Sequence, residues 1–244
     1  MSGSLNTPSN AADHPLILAV DSAFELCSVA CLGSELSDVR ISTHARKHAD
    51  DILVLVQSLL ETHQLALTDF DAIAMTSGPG SFTGLRIGTA VVQGLAFGSG
   101  RPVVCISSLA ALIMSASSQQ KFDYGVACLH AREDEFYFAI YRVTADSTLE
   151  AVVPDCIATS EEIQSLLDSK VCGQTDAWLA VGQGWQQPSL DQRAESFGLH
   201  LIQAQYDART VATLARQEFL AGRSVAAALA SPVYLKDELD YRTV

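Results

Sequence analysis

The sequence predicts two α/β domains of similar organisation, and three observations carry that prediction. Strand-like and helix-like segments alternate along the 244 residues, as they do where helices cover a β-sheet. Hydrophobic residues make up 48% of the chain against 18% charged ones, which is enough apolar side chain for a sizeable core. Residues 16–31 also match residues 125–140 in their pattern of apolar and polar positions, at an offset of 109.

The first half begins with a meander of short apolar strands, and a helix follows in which apolar residues recur with a period of 3.6. A glycine-rich segment then leads from a buried strand into a second helix. Ser107 is a plausible N-cap for a third helix, because a serine hydroxyl accepts from the first free N–H groups. We expect strands at 16–21, 27–32, 37–45, 71–75 and 102–106, and helices at 50–63 and from the glycines to about Phe97.

The second half repeats this order with a second meander at 124–143. The run TSEE at 159–162 is a capping-box signature for a helix. A strand at 178–182 and a last helix at about 210–221 complete the chain. We therefore expect a disordered tail at 1–14, a first domain at 15–106, a second domain at 107–205, and a C-terminal helix and tail at 206–244 that pack back on the body.

Composition narrows the class of function. The net charge of −13 makes the chain a poor solitary binder of nucleic acid, because such binding depends on Lys and Arg replacing counterions. The one basic cluster, Arg40–His48, is interpreted as a solvated approach to a helix. No apolar run reaches the roughly 18 residues that span a bilayer, and the first fourteen residues do not resemble a secretory signal. Six cysteines without a CxxC pair indicate reduced thiols and a cytoplasmic location.

The glycine segment TSGPGSFTGLRIGTA, residues 76–90, meets none of the nucleotide or nucleophile motifs. A P-loop needs Lys and Ser or Thr after its last glycine, and here Gly84 is followed by Leu-Arg-Ile. The glycines are spaced GxGxxxG rather than GxGxxG, and Phe82 stands where a nucleophile elbow needs serine. We therefore expect the glycines to serve turn geometry and close packing: Gly78, Gly80, Gly84 and Gly88.

A metal site is a weaker possibility. His44 and His48 form an HxxxH pair, which on a helix would place two imidazoles on one side. His44 is expected before the helix begins, and the charges of Arg46 and Lys47 would repel a cation. The favoured interpretation is a polar, partly exposed turn, and Asp50 and Asp51 remain the residues that would complete a site.

The helix after the glycines is apolar around most of its circumference, which indicates burial on more than one side. Leu85, Val92 and Ala96 are expected to face the sheet. Small residues along the helix would let another backbone approach closely: Gly84, Gly88, Gly94 and Gly98. Val54 lies opposite the main apolar face of the 50–63 helix, so two neighbouring helices have spare apolar surface, which favours a protein partner. Burial within one large domain is the alternative.

With these residues in view, the sequence resembles the TsaB (YeaZ) family over about residues 16–236. The most specific stretch is SGPGSFTGLRIGTAVVQGLAFG at 77–98. Supporting stretches are LAVDSAFELCSVA at 18–30, HADDILVLVQSLL at 48–60, the AR-x-x-E-x-Y pattern from Ala131 to Tyr137, VGQGW at 181–185 and PVYLK at 232–236. The family usually has Asp before that Ala-Arg, and this chain has His130, which puts the local hairpin hydrogen bonding in question.

The resemblance implies two actin-like domains of the sugar-kinase, heat-shock ATPase and ribonuclease H-like class. In ATPases of that class a glycine-bearing hairpin follows the first-strand Asp and cradles phosphate. Here Asp21 is followed by Ser-Ala-Phe-Glu without glycine, so we expect the frame without the phosphate grip. The resemblance also places any metal-binding His pair of the catalytic relative later in the chain, so His44 and His48 do not correspond to it.

The resemblance further implies a non-catalytic subunit of the complex that puts threonylcarbamoyl on the adenosine beside the anticodon of ANN-decoding tRNAs. Its implied partners are the transferase TsaD and the ATPase TsaE, a second copy when alone, and tRNA only through the complex, with no membrane. No catalytic residue, metal or cofactor is expected in the isolated chain, although a nucleotide could bind at the interface with TsaD. The expected interface residues are His48, Asp51, Val54, Leu55, Arg86, Thr89, Ala90 and Gln93.

A rival hypothesis is an autonomous metallopeptidase-like hydrolase of the same fold. It requires a metal-ligand set or an activated nucleophile, and the sequence presents neither convincingly. A metal assay and a peptidase screen of the purified protein distinguish the two hypotheses.

Overall fold

The computed structural model describes residues 14–44, 47–144, 146–171, 176–190 and 193–235. The tail expected at 1–14 therefore lies outside the described residues apart from His14, as does Cys172. The ten strands are β1 Ile17–Asp21, β2 Ser28–Leu32, β3 Ser37–Ile41, β4 Ala72–Gly78, β5 Val103–Ser107, β6 Tyr124–Arg132, β7 Glu135–Val143, β8 Leu149–Thr159, β9 Trp178–Val181 and β10 His200–Ile202. The α-helices are α1 His48–His63, α2 Phe82–Ser99, α3 Ser108–Ala116, α4 Ser160–Lys170, α5 Arg193–Ser196 and α6 Ala208–Leu220.

The strands form two five-stranded sheets with the same topology. The first has the order β3-β2-β1-β4-β5 and the second, read in the same direction, β8-β7-β6-β9-β10. In each sheet the first three strands along the chain form an antiparallel meander. Strands β4 and β5 run parallel to β1, and strands β9 and β10 run parallel to β6. The mixed sheets and the two similar halves expected from the sequence are confirmed.

The gapless match between the halves is off by one residue. At an offset of 109 the pair Ala19–Ala30 would correspond to Cys128–Ala139, whereas Cys128 is paired with Phe138. The physical reason lies in the hairpin turn of the second sheet. Its register shifts between His130 and Arg132, and Glu133 takes a left-handed backbone with φ of 47°. The two halves therefore share their strand topology, although a gapless alignment of their sequences is out of register by one residue in the second strand.

Helices cover the first sheet on both faces. Ile52, Val56 and Leu59 of α1 and Val92 and Ala96 of α2 are buried against one face. The other face is covered by α6, although α6 follows the second sheet in the chain. Conversely, α3 follows the first sheet and packs through its leucines and Ile113 into a core with strands of the second sheet. The two halves are therefore interlocked through these helices.

The observed ends of several elements differ from the expected ones. Strand β3 ends at Ile41, because Ser42 turns back and its hydroxyl bonds with Asp51. Helix α1 begins at His48, two residues earlier than expected. The Ser107 cap is confirmed by its acceptance of hydrogen bonds from the N–H groups of Leu109 and Ala110. The capping box Thr159–Glu162 is also confirmed. No helix among the described residues is long and apolar enough to cross a membrane.

Candidate partner surface and interdomain cleft

The glycine segment joins β4 to α2 through a short turn. Gly78 has a φ of 125°, a backbone conformation that glycine favours, and a side chain there would press on the carbonyl oxygen of Val233 at 3.1 Å. Ser81 is the N-cap of α2, and its hydroxyl accepts from the N–H of Gly84 at 3.2 Å. The turn geometry expected of the glycines therefore holds at Gly78.

The next three glycines admit the chain's own turn after β1. A Cβ at Gly80 would clash with Ala23, and one at Gly84 with the carbonyl oxygen of Ser22. A Cβ at Gly88 would meet the Ser22 hydroxyl, which itself donates to the carbonyl of Gly84 at 2.9 Å. This corrects the expectation that Gly84 and Gly88 open α2 to a partner helix, because Ser22 of the same chain occupies the space beside both glycines.

The outer side of α2 is open further along the helix. Positions Gly94 and Gly98 have no atom within 4 Å of an added Cβ, and Ala90 is exposed. Phe97 is 84% exposed, which is unusual for a phenylalanine on a helix that otherwise packs well. Together these residues form an apolar stripe at helical spacing.

Helix α1 lies beside α2 and adds exposed apolar side chains. Leu53 and Val54 are 51% and 65% exposed. We use the name α1–α2 surface for the exposed residues Leu53, Val54, Ala90, Gly94 and Phe97. Exposed apolar side chains on two neighbouring helices favour a site of protein association.

Not all of the expected interface residues lie on this surface. His48 is buried, and its Nε2 lies 2.8 Å from the carbonyl oxygen of Phe24. Asp51 bonds with the hydroxyl of Ser42 and lies 3.2 Å from His44, and these contacts lower the pKa of its carboxyl. Leu55 is half-buried in the core under α1. These three side chains are engaged within the chain, and their assignment to the partner interface stays a prediction.

The polar strip of α2 is likewise engaged. Thr89 is buried and donates to the carbonyl of Leu85. Gln93 donates to the carbonyl oxygen of Ala230 at 2.7 Å, and Arg86 donates through Nε to the Tyr234 hydroxyl at 3.0 Å. From the sequence, these three side chains were expected to contact a partner protein.

The C-terminal segment, residues 223–235, packs back on the body as expected, but its contacts with the polar strip of α2 were not foreseen. Val225 pairs with Val103 of the edge strand β5 through two backbone hydrogen bonds, and the Val233 N–H donates to the Ser77 carbonyl. The segment has no regular periodicity, and the signal for it was the apolar run PVYL at 232–235, which a solvated tail would not need.

A cleft of about 680 Å³ separates the two domains at the end of β1. Asp21 lies at its floor, 3% exposed, and accepts from the Thr76 hydroxyl at 2.7 Å. Burial raises the pKa of Asp21 to about 6, although the Thr76 hydrogen bond opposes that rise. Asp207 and Glu25 also line the cleft, and none of the described lining residues is basic.

This cleft is poorly suited to phosphate. The lining carboxylates would repel an anion, and the N–H of Ala23 in the β1–β2 turn is already used, because it donates to Asp21 Oδ1 at 3.2 Å. Phe24 and Tyr206 pack edge to face beside the turn. The arrangement agrees with the expected frame that lacks a phosphate grip.

Two features of the described residues concern the arrangement of possible metal ligands and the hydrogen bonding of the β6–β7 hairpin. No group of three or more His, Cys, Asp or Glu side chains there is arranged to hold a metal ion. The His130 imidazole lies 3.0 Å from the carbonyl oxygen of Glu133, and Arg132 pairs with Glu135 at 2.9 Å. The β6–β7 hairpin is thus hydrogen bonded with histidine at this position.

Comparison with known proteins agrees with these features. The family model for tRNA N6-adenosine threonylcarbamoyltransferase, TsaD, matches residues 39–229. The tRNA threonylcarbamoyladenosine biosynthesis protein TsaB of Escherichia coli K12 is 32% identical over 93% of this chain and 96% of its own, and that of Haemophilus influenzae is 29% identical over 93% and 95%. The structure of YeaZ from Pseudomonas aeruginosa superposes with a TM-score of 0.74 at 31% identity, covering 91% of this chain and all of that one.

The matches to TsaB and YeaZ each cover more than nine-tenths of the chain. The chain therefore belongs to the TsaB (YeaZ) family of tRNA threonylcarbamoyladenosine biosynthesis proteins.

Proposed function

We propose that this chain is a non-catalytic subunit that pairs with the transferase TsaD and supports its transfer of threonylcarbamoyl to the adenosine beside the anticodon of ANN-decoding tRNAs. The pair would in turn recruit TsaE. The observation that carries this proposal is the α1–α2 surface, where Val54 and Phe97 are largely exposed on two neighbouring helices that pack other apolar residues in the core. The TsaD family model matches the chain itself, which favours pairing between subunits of related fold.

The chemistry of the cleft supports a non-catalytic role. Catalysis of phosphoryl or acyl transfer needs groups that stabilise developing negative charge. Around Asp21 the described lining residues include the carboxylates of Glu25 and Asp207 and no Lys, Arg or His side chain. The net charge of −13 likewise favours tRNA binding through the complex rather than by this chain alone.

Ala90→Glu tests the pairing. Ala90 is exposed, so the variant should fold normally, whereas a glutamate buried without a partner in an interface costs several kcal/mol. Size-exclusion chromatography with purified TsaD should show loss of the heteromer, and the same chain alone should lose any homodimer. Ser165→Glu, which adds the same charge on the exposed side of α4, is the control and should pair normally. Pairing of Ala90→Glu at wild-type affinity would place the partner elsewhere.

A second assay addresses the rival hydrolase hypothesis directly. The isolated chain is expected to turn over neither ATP nor peptides and to bind no zinc or iron stoichiometrically. Robust turnover that is lost in Asp21→Ala would overturn the non-catalytic assignment. Asp21 is the last residue of β1, and its carboxylate is the buried one among those that line the cleft.

A further inference from the structure

Arg86 is the single charged residue of α2 and is held in an unusual way. Its guanidinium carbon lies 3.7 Å from the centre of the Phe82 ring, within cation–π distance. Its Nε donates to the hydroxyl of Tyr234, and the rings of Phe82 and Tyr234 lie 5.6 Å apart. The side chain is therefore fixed between a residue of α2 and the C-terminal segment.

The guanidinium has no carboxylate partner among the described residues, although the chain carries 28 acidic against 15 basic residues. The described hydrogen bonds use only Nε, so both terminal nitrogens are left for another acceptor. Arg86 is exposed and lies one turn before Ala90 on α2, next to the α1–α2 surface.

We propose that Arg86 is a preorganised receptor for a carboxylate of the partner subunit; this inference rests on the proposed pairing with TsaD. A planar guanidinium binds a carboxylate through two parallel hydrogen bonds, a geometry that lysine lacks. Because Phe82 and Tyr234 already fix the side chain, less conformational entropy is lost on association. Arginine is also one of the residue types enriched among the residues that dominate interface energetics.

The charge of the molecule selects this partner chemistry. A cation without a carboxylate partner in the part of the chain that the structure describes, on a protein of net charge −13, favours a facing residue of opposite sign and disfavours a basic one. The inferred occupant is thus a subunit that presents a helix face with one carboxylate opposite Arg86. A second copy of this chain is the alternative occupant, and the experiment separates the two.

The test measures the dissociation constant of the complex with purified TsaD across a range of NaCl concentrations. Arg86→Gln should bind about tenfold more weakly at low salt, and its affinity should depend less on salt than that of the wild type. Arg86→Lys should also bind more weakly but keep the salt dependence. Tyr234→Phe, which removes only the hydroxyl that orients Arg86, should weaken binding by about threefold. Arg209→Gln makes the same charge change at an exposed site on α6 and should bind like the wild type.

The outcomes distinguish this inference from the pairing on which it rests. If Ala90→Glu abolishes the heteromer while Arg86→Gln and Tyr234→Phe bind normally, the carboxylate receptor is wrong and the pairing stands. If the wild type itself does not bind TsaD, the proposed function fails. A loss of affinity in Arg86→Gln without any change in salt dependence, or a loss confined to self-association, would overturn the receptor for a TsaD carboxylate. Circular dichroism confirms that each variant is folded.

Discussion

At the scale of single residues, Gly88 and Ser22 illustrate how tightly α2 packs on the turn after β1. Gly88→Ala would press its methyl on the Ser22 hydroxyl and disturb that hydroxyl's bond to the Gly84 carbonyl. Overpacking costs about 1–3 kcal/mol, partly offset by the higher helix propensity of alanine, so we expect a net loss of about 1–2 kcal/mol in urea unfolding. Adding Ser22→Ala should recover part of the loss.

The matched control is Gly94→Ala, because Gly94 lies on the same helix with open space around it. The helix propensity gain is then unopposed, and the variant should be more stable by up to about 1 kcal/mol. Equal stabilisation by both substitutions would contradict the close packing on Ser22.

Asp21 gives a prediction about pH. Its pKa is about 6 in the folded chain against 3.8 without the fold, because burial disfavours the charged carboxylate. Between these values the folded state binds a proton that the unfolded state has lost, so stability falls as the pH rises from about 4 to 6. Asp21→Asn removes the charge and keeps an oxygen that accepts from Thr76. It should exceed the wild type by up to about 3 kcal/mol at pH 7 and match it near pH 4.

Urea unfolding at several pH values measures this difference. Asp134→Asn is the opposite case, because hydrogen bonds from Ser160 lower the pKa of Asp134. That variant should be less stable than the wild type at pH 7. An Asp21→Asn protein less stable than the wild type at pH 7 would mean that the carboxylate is favourably solvated in the cleft.

At the scale of elements, the C-terminal segment is attached to the body through one buried side chain, that of Ala230, besides its backbone hydrogen bonds. Ala230 is 1% exposed against α2, and its carbonyl accepts from Gln93. Ala230→Glu should release the segment, because a buried unpaired charge is strongly unfavourable. Cleavage by trypsin at Arg223 should become faster, and the amides of Val225 and Val233 should lose protection from hydrogen exchange. Ala228→Glu, at an exposed neighbour, should leave both unchanged.

The same segment marks the limit of what the sequence predicts. Periodicity identified the helices and most strands, because their apolar residues face one core. The motif tests depend only on residue order and predicted that the glycines serve packing, and the structure shows such close contacts at Gly80, Gly84 and Gly88. Which surface each glycine meets depends on distant residues such as Ser22 and Val233, and no local pattern encodes that contact. For the same reason, Arg86 and Gln93 were assigned to a partner protein rather than to the chain's own end.

At the scale of the whole molecule, helices α3 and α6 connect the two halves. Helix α6 follows the second sheet and covers the first, while α3 follows the first sheet and packs on the second. The Ser107 hydroxyl, which caps α3, also donates to Asp155 of β8 at 2.5 Å, and Tyr141 donates to the same carboxylate at 2.8 Å. The core under α6 joins strands of the first sheet to Ala110 and Ala111 of α3, which itself packs on the second sheet, so we expect the boundary near residue 106 to separate two sheets rather than two independently folding units.

We therefore expect both halves to unfold in one transition, and the tryptophans provide a local probe. The chain has two, Trp178 and Trp185, both buried in the core of the second half. Their fluorescence reports that half alone, whereas far-UV circular dichroism reports both, and the two midpoints in urea should coincide. The destabilising Gly88→Ala, which lies in the first half, should move the fluorescence midpoint as far as the dichroism midpoint. A fluorescence midpoint that stays in place while the dichroism midpoint moves would mean that α3 and α6 couple the halves too weakly to unfold them together.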